Sequence, residues 1–129
     1  MIAIDTNILV RVLTNDDPAQ AKRAVRLIEN NEIFIPKTVV LETEWVLRYA
    51  YGISRKSIIK AIQKFLGLSN VLIENPQIVF EALNWYDKGF DFADALHLSS
   101  SSKAAQFATY DKKFIKKASG LTRIRLREP

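Results

Sequence analysis

The chain has 129 residues, 48% of them hydrophobic and 26% charged, with no cysteine. That length suits one domain with a core of its own, and the composition argues against disorder. The missing cysteines exclude a disulfide framework and any thiolate metal site, and fit a reducing compartment. The formal net charge is +5, and it is unevenly spread. Residues 103–129 hold Lys103, Lys112, Lys113, Lys116, Lys117, Arg123, Arg125 and Arg127 against Asp111 and Glu128. This is a net +6 on a body at −1. A basic segment of this kind suits a polyanion or an acidic partner, and equally a solvated face kept for solubility.

In chain order, Met1–Ile4 is a short apolar run that reads as a strand. Asp5 interrupts it before a second apolar run at Ile8–Val10, to which the pattern assigns no element. A carboxylate between two such runs is expected to be buried and therefore paired, hydrogen-bonded or bound to a cation. Asp17-Pro18 starts a helix, with Asp as N-cap and Pro in the first turn, and Ala21, Ala24, Val25 and Ile28 recur at helical spacing. Ile33–Ile35 is a second strand. Thr38 is placed as the cap of a helix through Leu41, Trp45 and Leu47 that ends before Gly52. Ser54 caps the next, with Ile58, Ile62, Phe65 and Leu66 on one face.

Val71–Ile73 is a third strand. Asn75-Pro76 opens a helix carrying Val79, Ala82, Leu83 and Tyr86 and closed by Gly89. Asp91 caps the following helix, Gln106–Tyr110 is a fourth strand, and a short helix with Phe114 and Ile115 comes after it. Thr122–Leu126 alternates as an edge strand. Strands alternating with helices imply an α/β sandwich with a mainly parallel sheet, here as a single domain over residues 1–129. No leader peptide is visible, and no run reaches the ~20 apolar residues of a membrane span. A soluble, cytoplasmic protein is expected.

Four acids share one end of this layout. Asp5 and Asp111 directly follow strands, while Glu42 and Asp94 lie in the first turns of helices. Ligands of open parallel sheets bind at the carboxyl ends of the strands, and carboxylates gathered there repel one another unless a cation intervenes. Hard oxygen donors, with no Cys and a single His, favour Mg²⁺ or Mn²⁺. Carboxylates with such ions are the usual apparatus for attacking a phosphodiester, and a basic surface holds a nucleic-acid backbone. Each acid also has a structural reading. Asp91 and Asp111 suit helix N-caps, Asp94 a capping-box position, and Glu42, with its neighbour Glu44, a solvated helix face. His97, one turn after Asp94, reads as structural. Trp45 and Trp85 read as core or dimer contacts.

"IDTNILVRVL" (Ile4–Leu13), "VVLETEWVL" (Val39–Leu47), "FDFADALHL" (Phe90–Leu98) and "FATYDKKF" (Phe107–Phe114) resemble, in order, the four motif blocks of PIN domains. More narrowly they resemble those of VapC-type toxins from prokaryotic toxin–antitoxin pairs. The resemblance implies a five-stranded parallel sheet in a three-layer α/β/α sandwich and a Mg²⁺- or Mn²⁺-dependent endoribonuclease. It also implies inhibition by a cognate VapB-like antitoxin, and a homodimer. It carries the catalytic and metal-binding acids onto Asp5, Glu42, Asp94 and Asp111. Thr6 and Asn7 become orienters of Asp5, Thr109 a hydroxyl near the metal, and Asp91 an adjacent helper. Lys112, Lys113, Lys116 and Lys117 beside the last acid are candidate RNA contacts. Two other readings stand beside this one. One is a PIN-fold module that binds RNA or protein without cutting. The other is an α/β phosphotransfer domain, which fits poorly because Asp5-Thr6-Asn7 lacks an Asp-x-Asp and the C-terminus offers arginines where a receiver lysine belongs.

Overall fold

The computed structural model describes residues 1–129, in two compact units, Met1–Pro76 and Gln77–Pro129. The first unit alternates strands and helices. β1 (Ile2–Ala3) leads to α1 (Thr6–Thr14) and α2 (Pro18–Glu29), then β2 (Ile33–Ile35), α3 (Lys37–Tyr49), α4 (Arg55–Leu66) and β3 (Val71–Ile73). The three strands pair in parallel in the order β1-β2-β3, with Ile2 opposite Ile33, and Ile33 opposite Val71. Parallel neighbours require crossovers, and the paired helices supply them.

The apolar periodicity explains the core. β2 lies between β1 and β3, and Ile33 and Ile35 are wholly buried. On α4 the face read from the sequence is inward, as Ile58, Ile59, Ile62, Phe65 and Leu66. Each such side chain contributes roughly 1.5–3 kcal/mol on burial. Caps behave as their chemistry dictates: Asp17 accepts from the Gln20 N–H and Ser54 from the Ser57 N–H.

Three expectations for this unit are corrected. α1 occupies the stretch to which the pattern assigns no element, because Leu9 and Val10 are its only buried apolar residues, with Thr6 the third inward side chain, and so short a stripe gives little periodicity. Thr38 is not a cap. The chain turns into α3 two residues earlier, at Pro36, and the first free N–H, of Lys37, donates instead to Glu74 Oε1 at 2.9 Å. That partner lies 37 residues away, beyond the reach of any local pattern. Asp5 is exposed rather than buried. It sits where β1 has ended and α1 begins, so Ile4 before it and Leu9 and Val10 after it turn inward while its own side chain stays outside.

The second unit takes in most of α5 (Pro76–Asp87), then α6 (Phe92–Ser99), β4 (Gln106–Ala108), α7 (Lys112–Ala118) and β5 (Arg125–Arg127). β4 and β5 pair in parallel, with Phe107 opposite Leu126. The five expected strands are thus all present and all pair in parallel, and their ladder bonds group them as three and two. Strands β1, β4 and β5 are shorter than the runs read from the sequence. The core here is aromatic: Tyr86 and Phe92 meet edge to face at 5.3 Å, and Phe114 meets both Phe90 and Phe107. Trp85 is buried among them, whereas Trp45 of the first unit is 54% exposed and is no core residue. Gly89 ends α5 at φ 100°, a conformation glycine adopts without steric cost. A Cβ there would lie 3.1 Å from the Lys117 ammonium.

Candidate functional site

In the first unit the site grows out of the β1–α1 junction. Asp5 is the N-cap of α1, its Oδ1 accepting from the Thr6 N–H at 2.7 Å. Glu42 stands exposed on the second turn of α3. Both carboxylates line one open cavity of about 280 Å³, together with Thr6, Asn7, Val10, Arg11, Val46 and Tyr51. The Thr6 hydroxyl is buried there without a hydrogen-bond partner. Thr6 therefore meets Asp5 through its backbone N–H and not through its hydroxyl.

Arg11, inside the first motif block, and Tyr51, outside all four, are functional-site residues that the sequence does not single out, since they lie forty residues apart. They form a fixed rim. The Arg11 guanidinium donates to Gln20 Oε1 (2.7 Å), Asp16 Oδ1 (3.1 Å) and the Tyr51 hydroxyl (3.3 Å). Tyr51 in turn donates to Asp16 Oδ2 at 2.5 Å. That hydrogen bond, helped by Thr14 and the Arg11 charge, holds the Asp16 carboxyl below its usual range. The hydrogen bond with Tyr51 and the nearby carboxylates raise the Arg11 pKa, so its charge is fixed.

Glu44, two residues after Glu42, has the opposite fate. It is 1% exposed and held by the Arg48 guanidinium through two bonds of 2.7 and 3.2 Å. Of this adjacent pair only Glu42 reaches the cavity.

In the second unit Asp91 caps α6 by accepting from the Asp94 N–H at 3.1 Å, and Asp111 caps α7 by accepting from the Phe114 N–H at 3.0 Å. Thr109 Oγ accepts from the Asp111 N–H, which fixes the backbone that carries this acid. Asp94, half-buried in the first turn of α6, has a raised pKa. Burial contributes most, and the charges of Asp91 and Asp111 add to it, with His97 opposing. His97 itself is exposed. Lys112, Lys113 and Lys116 are exposed, whereas Lys117 donates to Gly89 O and lies over the Phe90 ring, so it is tied into the fold.

The PIN domain family profile matches residues 2–120. The chain belongs to the PIN domain family. Among solved structures it is similar to the Mycobacterium tuberculosis toxin VapC20, described as cleaving the sarcin–ricin loop. The two chains are 21% identical, 97% of this one and 99% of that one are covered, and the TM-score is 0.46. No curated protein matches.

This PIN domain divides its expected acids evenly, Asp5 and Glu42 in one unit and Asp94 and Asp111 in the other. Neither unit alone gathers three or more His, Cys, Asp or Glu side chains at metal-binding separation. In kind, the donors fit a hard divalent cation. The first unit offers two carboxylates and an orphaned hydroxyl at one cavity. In the second, Asp94 stands in a field of like charge that a cation would relieve. No helix of the PIN domain is long and apolar enough to cross a membrane.

Proposed function

We propose that this PIN domain is a VapC-type toxin, a Mg²⁺- or Mn²⁺-dependent endoribonuclease. It hydrolyses RNA phosphodiester bonds and is neutralised by a VapB-like antitoxin. The observation that carries the reading is the shared cavity of Asp5 and Glu42, with the partnerless Thr6 hydroxyl buried beside them. Family membership and the order of the four motif blocks support it.

Asp5, Glu42 and Asp94 are the proposed ligands, with Asp111 holding a second ion or positioning the attacking water. The chemistry such an ion supplies is a lowered pKa for water and neutralised charge on the phosphoryl oxygens. The protein's part is to hold the carboxylates in place. The Thr6 N–H fixes Asp5, Asp91 anchors the turn that carries Asp94, and Thr109 anchors the backbone of Asp111. Asn7 faces the same cavity. Exposed Lys112, Lys113 and Lys116 add positive charge near the last acid. The working form is a homodimer in a prokaryotic cytoplasm, with Trp45 and Tyr49 on the outer face of α3 as candidate dimer contacts.

The test is cleavage of cellular RNA by the purified protein with Mg²⁺, with Mn²⁺ and with EDTA, beside Asp5→Asn and Asp94→Asn. Cleavage is expected only with metal and only in the unmutated protein. Cleavage that persists in EDTA and in both variants would sink the metal-nuclease reading, and RNA binding without cleavage would favour a module that only binds. Expression should halt growth of a host only when Asp5 is intact, and co-expressed antitoxin should restore it.

A further inference from the structure

The basic excess of residues 103–129 is organised, and β5 organises it. "TRIRLR" (Thr122–Arg127) alternates arginine with apolar residues, and side chains two apart on a strand share a face. Ile124 and Leu126 are half-buried, and Phe107, opposite Leu126 on β4, meets Phe114 of α7 edge to face at 5.9 Å. The apolar set therefore faces α7. Arg125 and Arg127 stand on the other face with their register partners Gln106 and Ala108, and Arg123 continues the period just before the strand. All five residues are exposed.

The three arginines are unneutralised. Arg123 and Arg125 make no side-chain hydrogen bond. Arg127 donates to the adjacent Glu128 O at 3.0 Å and reaches Gln106 Oε1 at 3.5 Å. None of the three is in an ion pair with a carboxylate. β5 has ladder bonds to β4 alone, so its outer edge is open. A separate cleft of about 350 Å³ lies on the α7 side of this segment, where Ile115, Ala118, Ile124 and Leu126 line it. Guanidinium forks match phosphate oxygens in geometry as well as in charge.

We propose that Arg123, Arg125 and Arg127 form a rail that holds the phosphate backbone of single-stranded RNA along β5. Alternate residues of a strand are about 6.6 Å apart, the scale of successive phosphates in an extended single strand. The rail reads charge and spacing, so it holds RNA without regard to base. Charge complementarity selects the occupant: a segment at net +6 faces a polyanion. This deepens the ribonuclease reading and rests on it for the identity of the nucleic acid.

The test measures binding of the full-length protein to a fluorescent oligouridylate in EDTA, across a salt series, with no cleavage involved. The triple variant Arg123→Gln, Arg125→Gln, Arg127→Gln is compared with Lys56→Gln, Lys60→Gln, Lys64→Gln. The second set removes the same charge from exposed positions on α4. The arginine triple is expected to bind about tenfold or more weakly near 100 mM salt, and its salt slope to fall by about 2, since each single-strand phosphate contact contributes roughly 0.7. The lysine triple should stay within about twofold of the parent.

Equal losses in the two triples would overturn the rail, because net charge alone would then account for binding. An arginine triple that aggregates while keeping its affinity and salt slope would also overturn it, leaving the arginines as guards of an open strand edge. So would a polyglutamate peptide that binds the parent as tightly as RNA does and is lost in the arginine triple. A protein that binds RNA through the rail in EDTA but cuts nothing with metal refutes the nuclease reading and spares the rail. One that cuts with an unchanged KM in the arginine triple does the reverse.

Discussion

The two units carry the same kind of residue, acids at the ends of strands and starts of helices, and treat it differently. In Met1–Pro76 the acids are sorted by partner. Glu44 is buried under Arg48, Asp16 is clamped by Tyr51 and Arg11, and Asp5 and Glu42 are left open to a cavity. In Gln77–Pro129 the acids are gathered at helix starts, Asp91 and Asp94 on α6 and Asp111 on α7. Asp91 and Asp111 have their carboxylates in caps, and the Asp94 pKa is raised first by burial and then by the charges of both, with His97 opposing. An acid clamped by a guanidinium serves the fold, whereas Asp94, half-buried among like charges, is poised for a cation. The contrast separates structural from candidate functional carboxylates better than position along the chain does.

The largest effect expected from this contrast is on cleavage. Asp5→Asn and Asp94→Asn should each lower RNA cleavage by about 10²-fold or more, the scale on which loss of a group that stabilises charge in the transition state is felt. Thermal melting should move by only a few degrees. A collapse of folding in either variant would assign that acid to the structural class.

Arg48→Ala should cost about 1–3 kcal/mol of stability in chemical denaturation, because it takes the two guanidinium hydrogen bonds from a fully buried carboxylate. A variant as stable as the parent would remove Glu44 from the fold-serving set. Asp91→Ala should lose about 1 kcal/mol as an N-cap and leave most of the cleavage rate. A loss of rate comparable to that of Asp94→Asn would move Asp91 into the site.

The smallest effect is on acid titration. The folded Asp16 carboxyl titrates below its unfolded value of 3.8. Its contribution to stability is therefore present above that value and is lost as pH falls through the folded pKa. Tyr51→Phe removes the main cause, so the Asp16 titration followed by NMR should move up toward 3.8.

Much of the fold was legible. The caps Asp17, Ser54, Asp91 and Asp111 act within three residues, and the stripes of α2, α4 and α5 repeat with the helix, so local rules sufficed. α1 escaped because only Leu9 and Val10 mark its buried stripe. The start of α3 was misplaced because its true partner, Glu74, arrives from beyond β3. In the site, the identities of the acids were readable, but their surroundings were not. Asp5 was expected to be buried and is exposed, and nothing in "LETEW" (Leu41–Trp45) tells Glu42, which opens on the cavity, from Glu44, which is sealed under Arg48.

By itself the sequence determined the alternation of strand and helix, the family, and which carboxylates and arginines are present at which spacing, since these depend on short-range sterics and periodicity. Only the tertiary structure decided which acids are neutralised and which stay open. It also joined Arg11, Asp16 and Tyr51 into one rim, and it left the β5 arginines without a counter-charge. Those outcomes depend on through-space distances between residues far apart in the chain. Coulombic and hydrogen-bond energies answer to distance in space and not to separation in sequence.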